Sequence, residues 1–135
     1  MLDQEQLGAL MRRGEVLAAY DIAHGALDAP ERDELAAYFA VLCLARAGAL
    51  DFARSEYVRL GLNQADNHDA VALGARLLKD VALSAKGARR LAFAKASLRQ
   101  YERLFRRYGG IYGAINAATM TLVSGDRLGA AARAR

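Results

Sequence analysis

Tryptophan is absent from this chain of 135 residues, proline and cysteine occur once each, and histidine occurs twice. A lone cysteine, Cys43, excludes an intramolecular disulfide framework and fits a reducing compartment. It lies in the apolar run AVLCLA (40–45), a setting for a small buried hydrophobe rather than an activated thiolate. The two histidines, His24 and His68, offer neither H-x3-H nor H-E-x2-H spacing, so zinc has no ligand set. Phosphate loops of the G-x4-G-K-[ST] or G-x-G-x2-G kind are missing, and the glycines read as punctuation between helices. The adjacent carboxylates Asp33 and Glu34 stand at a helix start, where capping explains them. With no catalytic constellation the chain reads as a non-enzyme, and no cofactor or metal is expected.

Long apolar runs are scarce too. The longest, Leu35–Ala45, has eleven residues, too few to span a bilayer, and reads as a buried helix. The opening MLDQEQLGALMRR places acids before bases and lacks the apolar core of a signal peptide. A soluble, cytoplasmic chain without membrane insertion is the expectation. Valine and isoleucine together number nine against thirty alanines. Alanine loses little entropy in a helix and lets helices approach closely, whereas β-branched residues favour strands. No segment alternates with a period of two, so no strand is predicted.

What is present is a repeat. Gly14 and Ala19 stand in the same relation as Gly48 and Ala53, 34 residues further on, and Gly125 with Ala130 repeats the signal after another 77. A fixed period of this length marks stacked helix pairs, none of which can bury its apolar face alone. The 77 residues equal one period of 34 and one of 43, so the third repeat is lengthened in its two helices. The expected fold is all-α: an α-solenoid of antiparallel hairpins of the tetratricopeptide type, with seven to eight helices. It fills one domain over 1–135 as about three and a half repeats.

The expected helices follow from caps and breakers. The first starts at Asp3, with Gln6 completing a capping box, and runs to Arg13; Gly14 then turns into the second. Pro30, followed by Glu31, Asp33 and Glu34, opens a helix over 30–47, and Gly48 leads into another over 49–62. After the loop NQADN (63–67), where Asp66 or Asn67 can cap, helices are expected over 67–85, 88–108 and 111–124, with a short eighth beyond Gly125-Asp126. The chain stops in GAAARAR, partway through a helix, which suggests that the natural protein continues.

Two stretches go beyond periodicity. LGARLLKDV (73–81) and IYGAINAATMTLVSGD (111–126) resemble bacterial tetratricopeptide-like regions that carry a GINAATL…GD signature. Those regions are similar to the TRAFs-binding domain of MAP-kinase kinase kinases and its bacterial relatives. The resemblance covers about 31–130, is most specific at Asn116-Ala117-Ala118-Thr119, and departs at 113–115, where Gly-Ala-Ile replaces a common Pro-Gly-Ile. It implies a scaffold within bacterial signalling proteins, some of which carry effector domains.

A tetratricopeptide groove is lined by the first helix of each hairpin. Register from Gly48 selects Leu35, Tyr38, Leu42, Ala45 and Arg46, and register from Gly125 selects Tyr112, Ile115, Thr119, Leu122 and Val123. In the lengthened repeat the polar candidates are Arg76, Lys79 and Asp80. Tyrosine and arginine are the anchors that interfaces favour, whereas core packing is the simpler fate of Leu42 and Leu122. Asn116 sits in an apolar helix, where an amide needs a partner, and bonding to the 109–113 loop is expected.

Charge is local. Lys86–Arg107 holds eight bases and one acid, Glu102, and the remainder of the chain is net acidic. At 100° per residue Lys95, Arg99, Arg103, Arg106 and Arg107 form one stripe, with Leu98, Tyr101, Leu104, Phe105 and Tyr108 opposite. An acidic protein or flanking domain is the expected partner of such a face, and plain solvation is the simpler account. Inward aromatics argue against nucleic acid, which needs them for base stacking. The function expected is a protein or peptide interaction scaffold. Binding of nucleic acid or another acidic surface through 88–108 and self-association through an open end are the alternatives.

Overall fold

The computed structural model describes residues 2–28 and 33–125. Among them are seven α-helices: α1 Gln4–Arg12, α2 Val16–Ala26, α3 Glu34–Arg46, α4 Leu50–Arg59, α5 His68–Ser84, α6 Gly87–Tyr108 and α7 Ile111–Val123. One 3-10 turn, Leu62–Gln64, follows α4, and no strand occurs among the described residues. The all-α expectation holds. Pro30, Glu31 and the expected eighth helix, with Asp126 and Ala130, lie outside the described residues.

The expected caps form. Asp3 accepts from the Gln6 amide at 3.1 Å, and Asn67 accepts from the Ala70 amide at 2.9 Å. Asp33 takes the amides of Leu35 and Ala36 and caps α3 at Glu34. One carboxylate satisfies two first-turn donors there.

The chain forms two compact units, Met1–Ala65 and Asp66–Arg135. In the first, α1 packs on α2, α2 on α3 and α3 on α4. The repeat signal has a structural meaning in this unit. Gly14 and Gly48 adopt φ of +78° and +86°, a left-handed conformation costly for other residues. The next amides, Glu15 and Ala49, close back to Leu10 and Leu44 oxygens at 2.9 and 3.0 Å, the same helix-ending bond twice. Ala19 and Ala53, five residues after each glycine, are fully buried. The third glycine, Gly125, has φ +91°.

Helix α3 is the hub of the unit, with Ala36, Ala37, Phe39, Ala40, Val41, Leu42, Cys43 and Ala45 buried. Cys43 Sγ lies 3.4 Å from Met11 Sδ. Burial pushes the thiol up to about 11. Below pH 9 the folded and unfolded thiols are both protonated. Between pH 9 and 11 only the unfolded thiol ionises, so stability is expected to fall by about 2 to 3 kcal/mol over that window. Urea titrations of the native chain and Cys43→Ala from pH 8 to 11 read this directly, since the alanine variant lacks that share of the slope.

In the second unit α5 packs on α6 and α6 on α7. These helices have 17, 22 and 13 residues, and the lengthening expected of the third repeat falls on α5 and α6. Val71, Ala75, Ala82, Ala94, Tyr101, Leu104, Ala117 and Met120 make the core. Two buried hydroxyls are tied to backbone: Ser97 donates to the Ala75 oxygen across α5 and α6 at 3.0 Å, and Thr121 to the Ala117 oxygen at 2.8 Å. Gly113 brings α7 against the backbone of Phe105 on α6. A Cβ there would lie 3.1 to 3.2 Å from Phe105 N, Cα and Cβ.

Candidate functional site

In the first unit the groove candidates divide. Leu42 is buried in the α3 core, whereas Leu35 and Tyr38 are half-buried and Arg46 is exposed. Tyr38 meets Phe39 edge-on at 5.4 Å. Leu42 therefore packs and the other three reach the surface.

In the second unit α7 presents an apolar edge. Ile111, Tyr112, Ile115 and Leu122 are exposed, with Ile111 at 75% and Ile115 at 58%, and Thr119 is exposed beside them. The Thr119 hydroxyl donates to the Ile115 oxygen of its own helix at 3.0 Å.

Arg76, Lys79 and Asp80 of α5 are half-buried and belong to a polar cluster. Arg76 Nε stands 3.6 Å from Asp80. Lys79 Nζ donates to Asn116 Oδ1 on α7 at 3.0 Å and lies 6.0 Å from the Tyr101 ring centroid. Asn116 Nδ2 donates in turn to the Tyr112 oxygen at 2.9 Å. The amide expected to bond the 109–113 loop instead bonds back one turn within α7, and it also holds a lysine from another helix. Sequence reading missed the centre of this cluster, Tyr101, which was assigned only to the inward side of α6. Its ring is fully buried and meets Tyr112 edge-on at 5.9 Å.

The basic stripe is real in part. Lys95, Arg99, Arg103 and Arg106 are exposed on α6, and among the described residues none of them closes an ion pair. Arg107 is different. Its Nε donates to Asp66 Oδ1 at 3.1 Å, and the Tyr108 hydroxyl donates to the same oxygen at 2.9 Å. The Arg107 and then the Tyr108 hydrogen bond hold the Asp66 carboxyl below its usual range. Asp66, weighed as a cap for α5, instead pins the end of α6, and Asn67 takes the cap. Two aromatics expected to face inward do not: Phe105 is 46% and Tyr108 37% exposed. At Phe105, α7 meets the backbone through a glycine, which has no side chain to cover the ring.

Helix pairs joined by glycine turns at a repeat period point to one family. The model of the Tetratricopeptide Repeats-Sensor family matches residues 15–121. The chain belongs to this family. The match spans α2 to most of α7, so the helix pairs described above are its tetratricopeptide repeats. No curated protein and no solved structure matches the chain. A tetratricopeptide fold is in general a protein-interaction fold. Among the described residues no helix is long and apolar enough to cross a membrane, and no cluster of His, Cys, Asp or Glu could hold a metal.

Proposed function

We propose that this chain is the recognition module of a cytoplasmic bacterial signalling protein, presenting helix faces to a peptide or partner domain. Membership of a tetratricopeptide sensor family over 15–121 is the observation that carries the reading. On this proposal residues 1–135 act as one repeat domain of a longer protein, of the kind related to TRAFs-binding regions. A scaffold of preformed helices loses little freedom on binding, which favours affinity. Leu35, Tyr38 and Arg46 supply anchors in one unit, and Arg76, Lys79 and Thr119 in the other. The intact mass of the natural gene product tests the multidomain part: a value near 14.6 kDa would leave a free-standing adaptor.

The partner is proposed to be acidic. Lys95, Arg99, Arg103 and Arg106 fall along about three turns of α6 with no ion pair among the described residues, so their field is available to an opposite charge. Nucleic acid is the second reading, and the exposure of Phe105 removes the objection that the aromatics of α6 are all inward. Reversal of Arg99, Arg103 and Arg106 to glutamate is expected to weaken capture of the natural partner at least tenfold. Capture that survives the triple reversal unchanged makes the face solvated surface. If the bound material is lost on nuclease treatment and its affinity falls steeply between 50 and 200 mM salt, the ligand is nucleic acid. Sedimentation over a hundredfold concentration range tests self-association: a constant monomer mass for the full chain removes that alternative.

A further inference from the structure

Charge is divided unevenly between the two units. Met1–Ala65 carries ten acidic against six basic residues, and Asp66–Arg135 carries thirteen basic against five acidic. Two units of opposite sign in one chain are complementary to the same two units of another copy. The charged lines on their surfaces also match in spacing. On the first unit Asp21 of α2 and Asp28, just past the end of that helix, are exposed and close no ion pair among the described residues. The Asp28 amide donates to the Gly25 oxygen at 3.3 Å, so the chain still follows the helical path there. Seven positions make nearly two full turns, which puts both carboxylates on one line about 10 Å apart. On the second unit Arg99 and Arg106 of α6 are likewise exposed and seven positions apart, on a line about 10 Å long. Lys95 and Arg103 flank that line. Leu17, four positions before Asp21, is 72% exposed and extends the acidic line with an apolar side chain that the stem of a lysine or arginine can cover.

We propose that the acidic surface taken by the α6 stripe is the first unit of a second copy of this chain, with Asp21 and Asp28 of one copy on Arg99 and Arg106 of the next. This rests on the reading of that stripe as a docking face for an acidic partner. Each pair joins a carboxylate to a guanidinium, whose planar fork of donors suits it. The contact uses a different patch on each copy, so it is heterologous. A bound pair keeps one free acidic line and one free basic line, and further copies add head to tail. Exposed ion pairs contribute modestly and are screened by salt, so the assembly is weak and grows with concentration. An external acidic partner seated on Arg99 and Arg106 ends growth at that copy, which couples recognition to the size of the assembly.

The test is sedimentation velocity of the full chain over a hundredfold concentration range, at about 50 and about 200 mM salt. The mean mass is expected to rise with concentration at the lower salt and to fall back towards the monomer at the higher. Two double variants neutralise charge without reversing it, so that no new pairing is created: Asp21→Asn with Asp28→Asn, and Arg99→Gln with Arg106→Gln. All four positions are exposed, and an unchanged melting temperature checks that each variant folds. Either variant alone should self-associate about tenfold more weakly than the native chain. Mixed in equal amounts they should form a one-to-one dimer and nothing larger, because the first keeps only the basic line and the second only the acidic line. Three results would overturn the contact: a concentration-independent monomer mass for the native chain, native-like association in either variant, or a mixture that stays monomeric. A monomeric native chain whose capture of the natural partner is lost on reversal of Arg99, Arg103 and Arg106 overturns the self-contact alone and leaves the acidic-partner reading standing.

Discussion

Gly113→Val is expected to destabilise the second unit by about 3 kcal/mol, seen as a lower urea midpoint. The first added carbon would sit 3.1 Å from Phe105 N and 3.2 Å from its Cα, and these are backbone atoms that cannot rotate away. Helices α6 and α7 must separate to admit it, and the two further methyl groups of valine deepen the conflict. Alanine at 113 is the graded control. It gains about 1 kcal/mol of helix propensity over glycine, which offsets part of the steric cost. The valine variant should therefore be clearly worse than the alanine variant. Equal midpoints for the two would mean that the α6–α7 approach is looser than its geometry implies.

Ala53→Leu is expected to cost a similar amount, about 3 kcal/mol, in the first unit. Ala53 is fully buried, as is its repeat equivalent Ala19, and α4 packs on α3 with no side chain larger than a methyl group at that point. Three extra carbons force the helices apart or drive neighbours off their rotamers. Ala19→Leu should repeat the effect, and measuring both checks whether the two copies of the signal are equivalent in energy as well as in shape. Ala47→Leu, on exposed surface at the end of α3, should change the urea midpoint little. A midpoint for Ala53→Leu within error of the native chain would remove the packing meaning of the repeat.

The repeat was legible because its causes are local. A glycine at positive φ ends a helix within a few residues of itself, and an alanine five positions later marks where the next helix must pass close by. Both requirements recur at 14–19 and 48–53, so the period survives in the sequence. The lengthening of α5 and α6 was legible through the larger spacing to Gly125. Capping by Asp3, Asp33 and Asn67 was readable for the same reason: each side chain reaches an amide two or three residues ahead.

The face of a side chain was less secure. A helical wheel assumes that burial follows angle alone, and it placed Phe105 and Tyr108 inward. Burial follows from what the neighbouring helix brings to that angle, and α7 brings Gly113. The wheel also treated Arg107 as one more cation in a stripe, although a partner 41 residues earlier in the chain neutralises it. Asn116 carried a usable signal, an amide in an apolar helix that demands a partner, but the sequence held nothing to single out Lys79, 37 residues away.

By itself, the sequence determined an all-helical chain built of repeats, with helix ends close to where they stand and a buried thiol. Those properties depend on hydrogen bonds and steric limits within a few residues. The tertiary structure decided which groups meet: Asp66 with Arg107 and Tyr108, Lys79 with Asn116, and the Tyr101 hydroxyl at the centre of a cluster drawn from α5, α6 and α7. These encounters depend on the distance and angle at which packed helices cross, and small residues such as Gly113 set that distance without naming what they bring together.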